Sequence, residues 1–217
     1  MKALLFINGQ PPAALPATEG YGLIACTDGA FHYLKRMGFP LQKLDFISGD
    51  FDSHTGVDEE IYRDAFIYTP DQNKTDFYKA LELLLQRGVT HLSVYGASGG
   101  EQDHFLGNLT AAFAFREKIE IRFYDDYSTY FFIPESFTVE GVKGRTISLM
   151  PFPSADGIVT KGLAWPLNNE SLEITSRIGT RNRASEDRVS IRYASGHLLV
   201  FISRDGWAEI DEHGCNS

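Results

Sequence analysis

Asp50 and Asp52 stand one residue apart in Gly49-Asp50-Phe51-Asp52-Ser53, directly after the apolar run Leu44-Asp45-Phe46-Ile47. Along an extended chain, side chains i and i+2 point the same way. Two carboxylates would then face one point in space. Carboxylates about 4–6 Å apart repel, and one keeps its proton unless a cation lies between them. A hard divalent ion such as Mg²⁺ takes oxygen ligands and is typically held by one or two carboxylates plus substrate phosphates. On that chemistry Asp50 and Asp52 are metal ligands. A second reading stands beside it: short acids after a strand also form Asx-turns that cap the following turn.

Two further stretches carry similar chemistry. PDQNKTDFYKAL, Pro70 to Leu81, puts Asp71, Lys74, Thr75 and Asp76 between a strand and a helix. Asp76 either caps that helix or joins a phosphate–metal cluster, and Lys74 either meets phosphate or is a solvated lysine. YGASGGEQDHFLGNL, Tyr95 to Leu109, supplies Gly96, Gly99 and Gly100 ahead of a helical stripe. Glycines let the backbone come close to a ligand, and the helix behind offers its positive N-terminal end, so this is a candidate phosphate cradle. It is not a Walker A loop, because the chain has no G-x-x-x-x-G-K-S/T. His104 and Asn108, at i and i+4, face either the pocket or solvent.

The elements that must position these residues are legible as a repeating theme over the first ~125 residues. Short apolar runs lead into polar turns: Ala3–Ile7 into Asn8-Gly9, Gly22–Cys26 into Thr27-Asp28-Gly29, Leu44–Ile47 into Gly49-Asp50. Ala65–Tyr68 leads into Thr69-Pro70-Asp71, His91–Tyr95 into Gly96, and Ile119–Phe123 into Asp125-Asp126. Nearly continuous apolar runs suit a parallel sheet covered on both faces. Phe77, Ala80, Leu81, Leu84 and Leu85 keep helical spacing, with Gly88 as the stop; Phe105, Leu106, Leu109, Ala112 and Phe113 repeat the stripe. The expected result is an open, mostly parallel, Rossmann-like α/β sheet with its acids and glycines on neighbouring strand ends, where such sheets bind ligands. After about Tyr127 the stripes vanish. Val189, Ile191 and Tyr193 alternate, Ala194-Ser195-Gly196 turns the chain, and Leu198, Val200 and Ile202 alternate on the return. This predicts a hairpin in an all-β, sandwich-like second domain. The expected division is residues 1–130 and 131–217.

Composition bounds the function. The chain has 217 residues, 43% of them hydrophobic, enough for one large or two small domains. A net charge of −9 without a run of Lys or Arg makes nucleic acid and anionic membrane surfaces poor partners, and an anionic substrate here needs a bridging cation. No apolar run approaches the ~20 residues of a membrane span. The apolar core of the N-terminal stretch, Ala3 to Ile7, is shorter than the ~7–15 residues of a secretory signal, and reads as a buried strand. Cys26 and Cys215 lack CxxC spacing, which makes a reducing cytoplasm the expected compartment.

In order and spacing these motifs resemble the thiamine pyrophosphokinase family. Its pattern is an Asp-Gly turn, G-D-F-D-S, D-x-D-K-T-D, then G-x-x-G-G-R-x-D-H with a downstream Asn. Here stand Asp28-Gly29, Gly49 to Ser53, Asp71 to Asp76, and Gly96 to His104 with Asn108. ISLMPF, Ile147 to Phe152, and GIVTKGLAWPL, Gly157 to Leu167, match the second half, whose Trp165 is the family's thiamine-pocket tryptophan. Asn73 replaces an acid, Glu101 replaces an Arg, and Arg181 stands where the family has Ser before Asn182.

The resemblance implies transfer of the pyrophosphoryl group of ATP to the thiamine hydroxyl, giving AMP and thiamine diphosphate. It implies Asp50, Asp52 and Asp76 as catalytic Mg²⁺ ligands. It implies a nucleotide site of Asp28, Gly29, Asp71, Lys74, Thr75, Gly96, Gly99, Gly100, Asp103, His104 and Asn108. Trp165, Thr180 and Asn182 would form the thiamine site. Trp165 would offer an aromatic face to thiamine, which carries a fixed positive charge; as a core residue of the β domain it would do nothing of the kind. The resemblance also implies a homodimer with its active site at the interface between chains. Two rivals are kept: a pyrophosphokinase for another hydroxymethyl acceptor such as a pterin, motivated by Arg181 and Glu101, and a catalytically inactive nucleotide- or thiamine-binding protein, motivated by Asn73 and Glu101.

Overall fold

The computed structural model describes residues 1–50 and 62–206, and the chain divides into two units, Met1–Asp126 and Tyr127–Ser217. In the first unit the expected apolar runs form β1 (Lys2–Phe6), β2 (Leu23–Thr27), β3 (Phe46–Gly49), β4 (Phe66–Tyr68), β5 (His91–Tyr95) and β6 (Glu120–Tyr124). All pair in parallel, in the order β4-β3-β2-β1-β5-β6. Helices α1 (Asp28–Arg36), α2 (Asp76–Gln86) and α3 (Gln102–Phe115) connect them.

Covering both faces is what makes the strands read as unbroken apolar runs. Ile47 joins Leu4, Phe6, Ile24 and Cys26 in a core cluster with Phe31 and Leu34 of α1. Its neighbour Phe46 points to the other face, where the Arg87 guanidinium after α2 sits 4.4 Å from its ring centroid. Each fully buried Leu or Phe contributes about 1.5–3 kcal/mol.

The α2 boundaries follow from local chemistry. Thr75 is the N-cap, and its hydroxyl accepts from the Tyr78 amide at 3.2 Å. At the other end Gly88 takes φ +77, its amide donates to the Leu85 carbonyl, and the Val89 amide donates to the Leu84 carbonyl. That is the pair of bonds that closes a helix around a left-handed glycine. In α3 the expected stripe holds at Leu109 and Ala112 but not at Leu106, which is 61% exposed. Ala111 and Phe115 take the inner positions, so the stripe is turned from the one expected.

The second unit consists of antiparallel strands: β7 (Ser128–Ile133), β8 (Ser136–Val139), β9 (Arg145–Lys161), β10 (Asn168–Glu173), β11 (Gly179–Arg183), β12 (Val189–Arg192) and β13 (Ser195–Gly206). The 17-residue β9 organises them. Its first half pairs with β11, its second half with β10 and β12, and β13 pairs along both. The predicted hairpin does not form. β12 and β13 are joined by a tight turn but lie on opposite sides of β9, in the order β7-β13-β9-β12-β8. Alternation places Val189, Ile191, Leu198, Val200 and Ile202 correctly in one core, yet it carries no information about which strand each faces. No described helix is long and apolar enough to cross a membrane.

Candidate active site

The chain reverses its direction of growth across the sheet between β1 and β5, which makes that strand pair the topological switch point. Acids gather on one side of it. Asp28, Asp50 and Asp71 follow β2, β3 and β4, which are adjacent strands. The glycine-rich turn follows β5, which is separated from β3 by β2 and β1. The three motifs are therefore not all on neighbouring strand ends, as the sequence suggested. Strand order depends on where the sheet stops growing one way and starts growing the other, and no local pattern encodes that.

On the acidic side, each carboxylate is oriented by a specific contact. Asp28 is 8% exposed and accepts from the Gly29 amide at 2.6 Å. Gly49 leans on it so closely that a Cβ there would lie 2.3 Å from Asp28 Cγ. Asp50 Oδ2 accepts from Gln72 Nε2 at 3.3 Å, which brings the β3 end against the β4–α2 turn. Asp71 Oδ1 accepts from the Asn73 amide at 2.9 Å and from Asn73 Nδ2 at 3.1 Å. Because Thr75 caps α2, Asp76 has no capping role; its Oδ1 instead lies 2.8 Å from Lys79 Nζ. Asp52 lies outside the described residues. Among the described residues no group of three His, Cys, Asp or Glu side chains is arranged to hold a metal ion.

Fit to a cation and a phosphorylated ligand is tested by the chemistry of this edge. Among the described residues the Thr27, Ser48 and Thr69 hydroxyls are buried without a hydrogen-bond partner, at the ends of β2 and β3 and just beyond β4. Unpaired buried hydroxyls are rare in native proteins. Together with the carboxylates at the same strand ends they give this edge a donor set made of oxygen, the ligand type that a hard cation such as Mg²⁺ takes.

Lys74 is committed elsewhere in this structure. Its Nζ lies 2.7 Å from Glu82 Oε1 and 4.0 Å from Asp71 Oδ2, beside a cavity of about 380 Å³ bordered by Thr69, Asp71, Lys79 and Glu82. Glu82 holds the Lys74 ammonium above its ordinary pKa. The Asn73 amide, and less strongly its carboxamide, hold the Asp71 carboxyl below the ordinary range. A lowered carboxyl pKa contributes stability above the unfolded value, and that contribution is lost as pH falls through the folded value. Asn73→Asp, which restores the acid of the family pattern, removes one donor and adds a like charge. Its expected effect is a rise in the Asp71 pKa, read from a carboxyl-carbon NMR titration.

The glycines prove to have different duties. A Cβ on Gly96, at φ +76, would lie 2.2 Å from the Ile7 carbonyl oxygen; one on Gly99 would lie 2.6 Å from Gln10 Cβ. The room they leave is filled by the loop after β1, whose Gln10 amide donates to the Ser98 carbonyl at 2.8 Å. Only Gly100 of the three faces open space. Asn108 Nδ2 holds the loop from α3 by donating to the Ala97 carbonyl at 3.0 Å, while Asp103 accepts from the His104 amide. His104 Nε2 lies 3.7 Å from Glu101, and both are exposed. Gly96→Ala is expected to cost about 3 kcal/mol or more, from a left-handed residue plus a backbone collision, and Gly100→Ala only about 1–2 kcal/mol. Urea unfolding of the two variants checks the difference.

In the second unit Trp165 is 61% exposed and is not a core residue. Its backbone is clasped by the Asn182 carboxamide: the Trp165 amide donates to Asn182 Oδ1, and Asn182 Nδ2 donates to the Trp165 carbonyl. Arg181 takes φ +56 at a bulge against β9, and its amide donates to Ser148 Oγ. Thr180 beside it is exposed.

Sequence reasoning missed Asn8, Gln10, Gln72, Lys79 and Glu82. Asn8 fills the space beside Gly29, where a Cβ would lie 2.4 Å from Asn8 Cγ. The Asn8-Gly9 turn after β1 was the available signal for the first two. For Lys79 there was none, because a lysine three residues into a helix usually lies in solvent. Cys26 is a core residue; burial, and then the Asp28 carboxylate, push its thiol well above the usual range.

Two family models match this chain. The "Thiamin pyrophosphokinase, catalytic domain" model covers residues 17–123, and the "Thiamin pyrophosphokinase, vitamin B1 binding domain" model covers residues 133–198. The chain is 27% identical to the thiamine pyrophosphokinase of Bacillus subtilis, over 94% of its own length and 100% of the relative's. It is 30% identical to thiamine pyrophosphokinase 1 of Oryza sativa, over 75% of its own length and 67% of the relative's. Among solved structures, the B. subtilis thiamine pyrophosphokinase superposes with a TM-score of 0.80 at 24% identity, covering 94% of this chain and 99% of that one. The Candida albicans thiamin pyrophosphokinase gives 0.81 at 17% identity, covering 94% and 89%.

Proposed function

The chain belongs to the thiamin pyrophosphokinase family, and from that premise we propose that it transfers the pyrophosphoryl group of ATP to the hydroxyethyl group of thiamine, releasing AMP. The observation that carries the chemistry is the convergence of Asp28, Asp50 and the Asp71–Asp76 turn on three adjacent strand ends, tied together by the Gly49–Asp28 and Asp50–Gln72 contacts.

Asp50, Asp52 and Asp76 are the residues we assign to Mg²⁺, with Asp71 beside them. When bound, the ion would neutralise charge on the phosphate oxygens. The chain's own part is positioning, the main requirement of phosphoryl-type transfer. Gly100 leaves the loop after β5 open on one side, and the amides there suit a phosphate. Asp28, Gly29, Thr75, Gly96, Gly99, Asp103, His104 and Asn108 belong to the nucleotide side by the family's pattern. Several act through structure: Asn108 fixes the loop, Thr75 fixes the start of α2, and Gly29, Gly96 and Gly99 make room for the loop after β1. Lys74 reaches a phosphate only by leaving Glu82, so its role includes that exchange of partners. Trp165 presents its ring to the acceptor, Asn182 holds Trp165 in place, and Thr180 lies on the same strand as Asn182.

We assign the nucleotide chemistry to residues 1–130 and the acceptor site to residues 131–217, in a cytoplasmic homodimer. An acceptor screen with detection of AMP tests the reading. Thiamine should be turned over in preference to hydroxymethyl compounds such as pterins. Turnover of a pterin alone, or binding of ATP without AMP release, would overturn it.

A further inference from the structure

Lys79 is the one lysine of the described core, 6% exposed, on a helix whose Gln86 and Glu82 lie toward solvent. Burying an ammonium is costly unless it is paired and hydrogen-bonded. Its two partners explain its place. Nζ donates to the Thr69 carbonyl at 2.8 Å and lies 2.8 Å from Asp76 Oδ1. Thr69 is itself tied to β3, because its amide donates to the Gly49 carbonyl at 2.9 Å. The contacts run without a break from the strand end that carries Asp50, through Thr69 and Lys79, to Asp76.

We propose that Lys79 is a positioning residue for the metal: it fixes Asp76 relative to Asp50, so that the acids meet one cation without first having to be ordered. Asp76 is half exposed, so one carboxylate oxygen is held by Lys79 while the carboxylate as a whole remains open to solvent. Asp76 and Lys79 are three residues apart on α2 and share a face, so the helix itself sets their separation. The lysine also places a positive charge beside Asp76, which offsets repulsion between Asp76 and neighbouring carboxylates before any metal arrives. Asn73 and Gln72 orient Asp71 and Asp50 through more exposed contacts, whereas Lys79 joins the residue after the β4 strand end to the helix from a buried position. This inference rests on the assignment of Asp76 as a Mg²⁺ ligand.

The test is direct metal binding, measured by Mn²⁺ titration followed by electron paramagnetic resonance on the full chain with a non-hydrolysable ATP analogue. Lys79→Met should weaken Mn²⁺ binding by about tenfold or more while leaving the KM for thiamine unchanged, and Lys79→Arg should recover part of the loss. In an Asp76→Asn background, adding Lys79→Met should weaken binding no further. Unchanged or tighter Mn²⁺ binding by Lys79→Met would overturn the proposal, as would additive losses in the double variant. Should Lys79→Met fail to fold, Lys79→Arg still decides: binding weakened relative to the unaltered chain supports the proposal, and equal binding refutes it. If the unaltered chain binds no Mn²⁺, the metal assignment itself fails and takes this inference with it.

Discussion

Asp50→Asn is expected to lower kcat about a hundred- to a thousandfold, the cost of withdrawing one preorganised electrostatic group from a site where charge develops. The fold should be untouched. Asp50 is half-buried, and its Gln72 contact can be kept by the carbonyl oxygen that asparagine retains. Without metal the variant should unfold at the same urea concentration or a slightly higher one, because one of several neighbouring carboxylates has lost its charge. The measurement pairs steady-state kinetics across a Mg²⁺ series with urea unfolding. Near-normal kcat at saturating Mg²⁺ would remove Asp50 from the site.

Trp165→Ala is expected to raise the KM for thiamine about ten- to a hundredfold, since stacking on an aromatic side chain contributes ~1–3 kcal/mol. The KM for ATP should stay within about twofold. Exposure decides between this and a packing role: a side chain 61% open to solvent does little for the core, so the thermal midpoint should hardly move. Asn182→Ala should reproduce part of the effect without touching the ring, because it frees the Trp165 backbone on both its amide and its carbonyl. A variant that unfolds, or one that changes only the ATP KM, would contradict the assignment.

How much of this was legible in the sequence depends on the range of the interaction that decided it. Apolar runs gave all six strands of the first unit, because a parallel strand buried on both faces needs little beyond its own composition. Gly88 gave the end of α2 for an equally local reason. What failed was long-range. The expected hairpin was lost because β9 intervenes between β12 and β13, and alternation is the same whichever neighbour a strand pairs with. The glycine turn follows β5 as expected, yet Gly96 and Gly99 face the loop after β1, whose approach only the fold brings about. Asp76 was ambiguous between capping and chemistry until Thr75 proved to be the cap. Lys79 was invisible, since its burial depends on how α2 sits against the β4 end. The family resemblance supplied what spacing alone left open, namely the polarity of transfer and the acceptor.

The central claim is that the β-phosphorus of ATP, not the γ-phosphorus, is the point of attack. Phosphorus NMR of a reaction containing the chain, ATP, Mg²⁺ and thiamine reads this directly. The account predicts AMP and thiamine diphosphate rising together in equal amounts as ATP falls. ADP rising in equal amount to thiamine monophosphate would contradict it, even with thiamine as the acceptor.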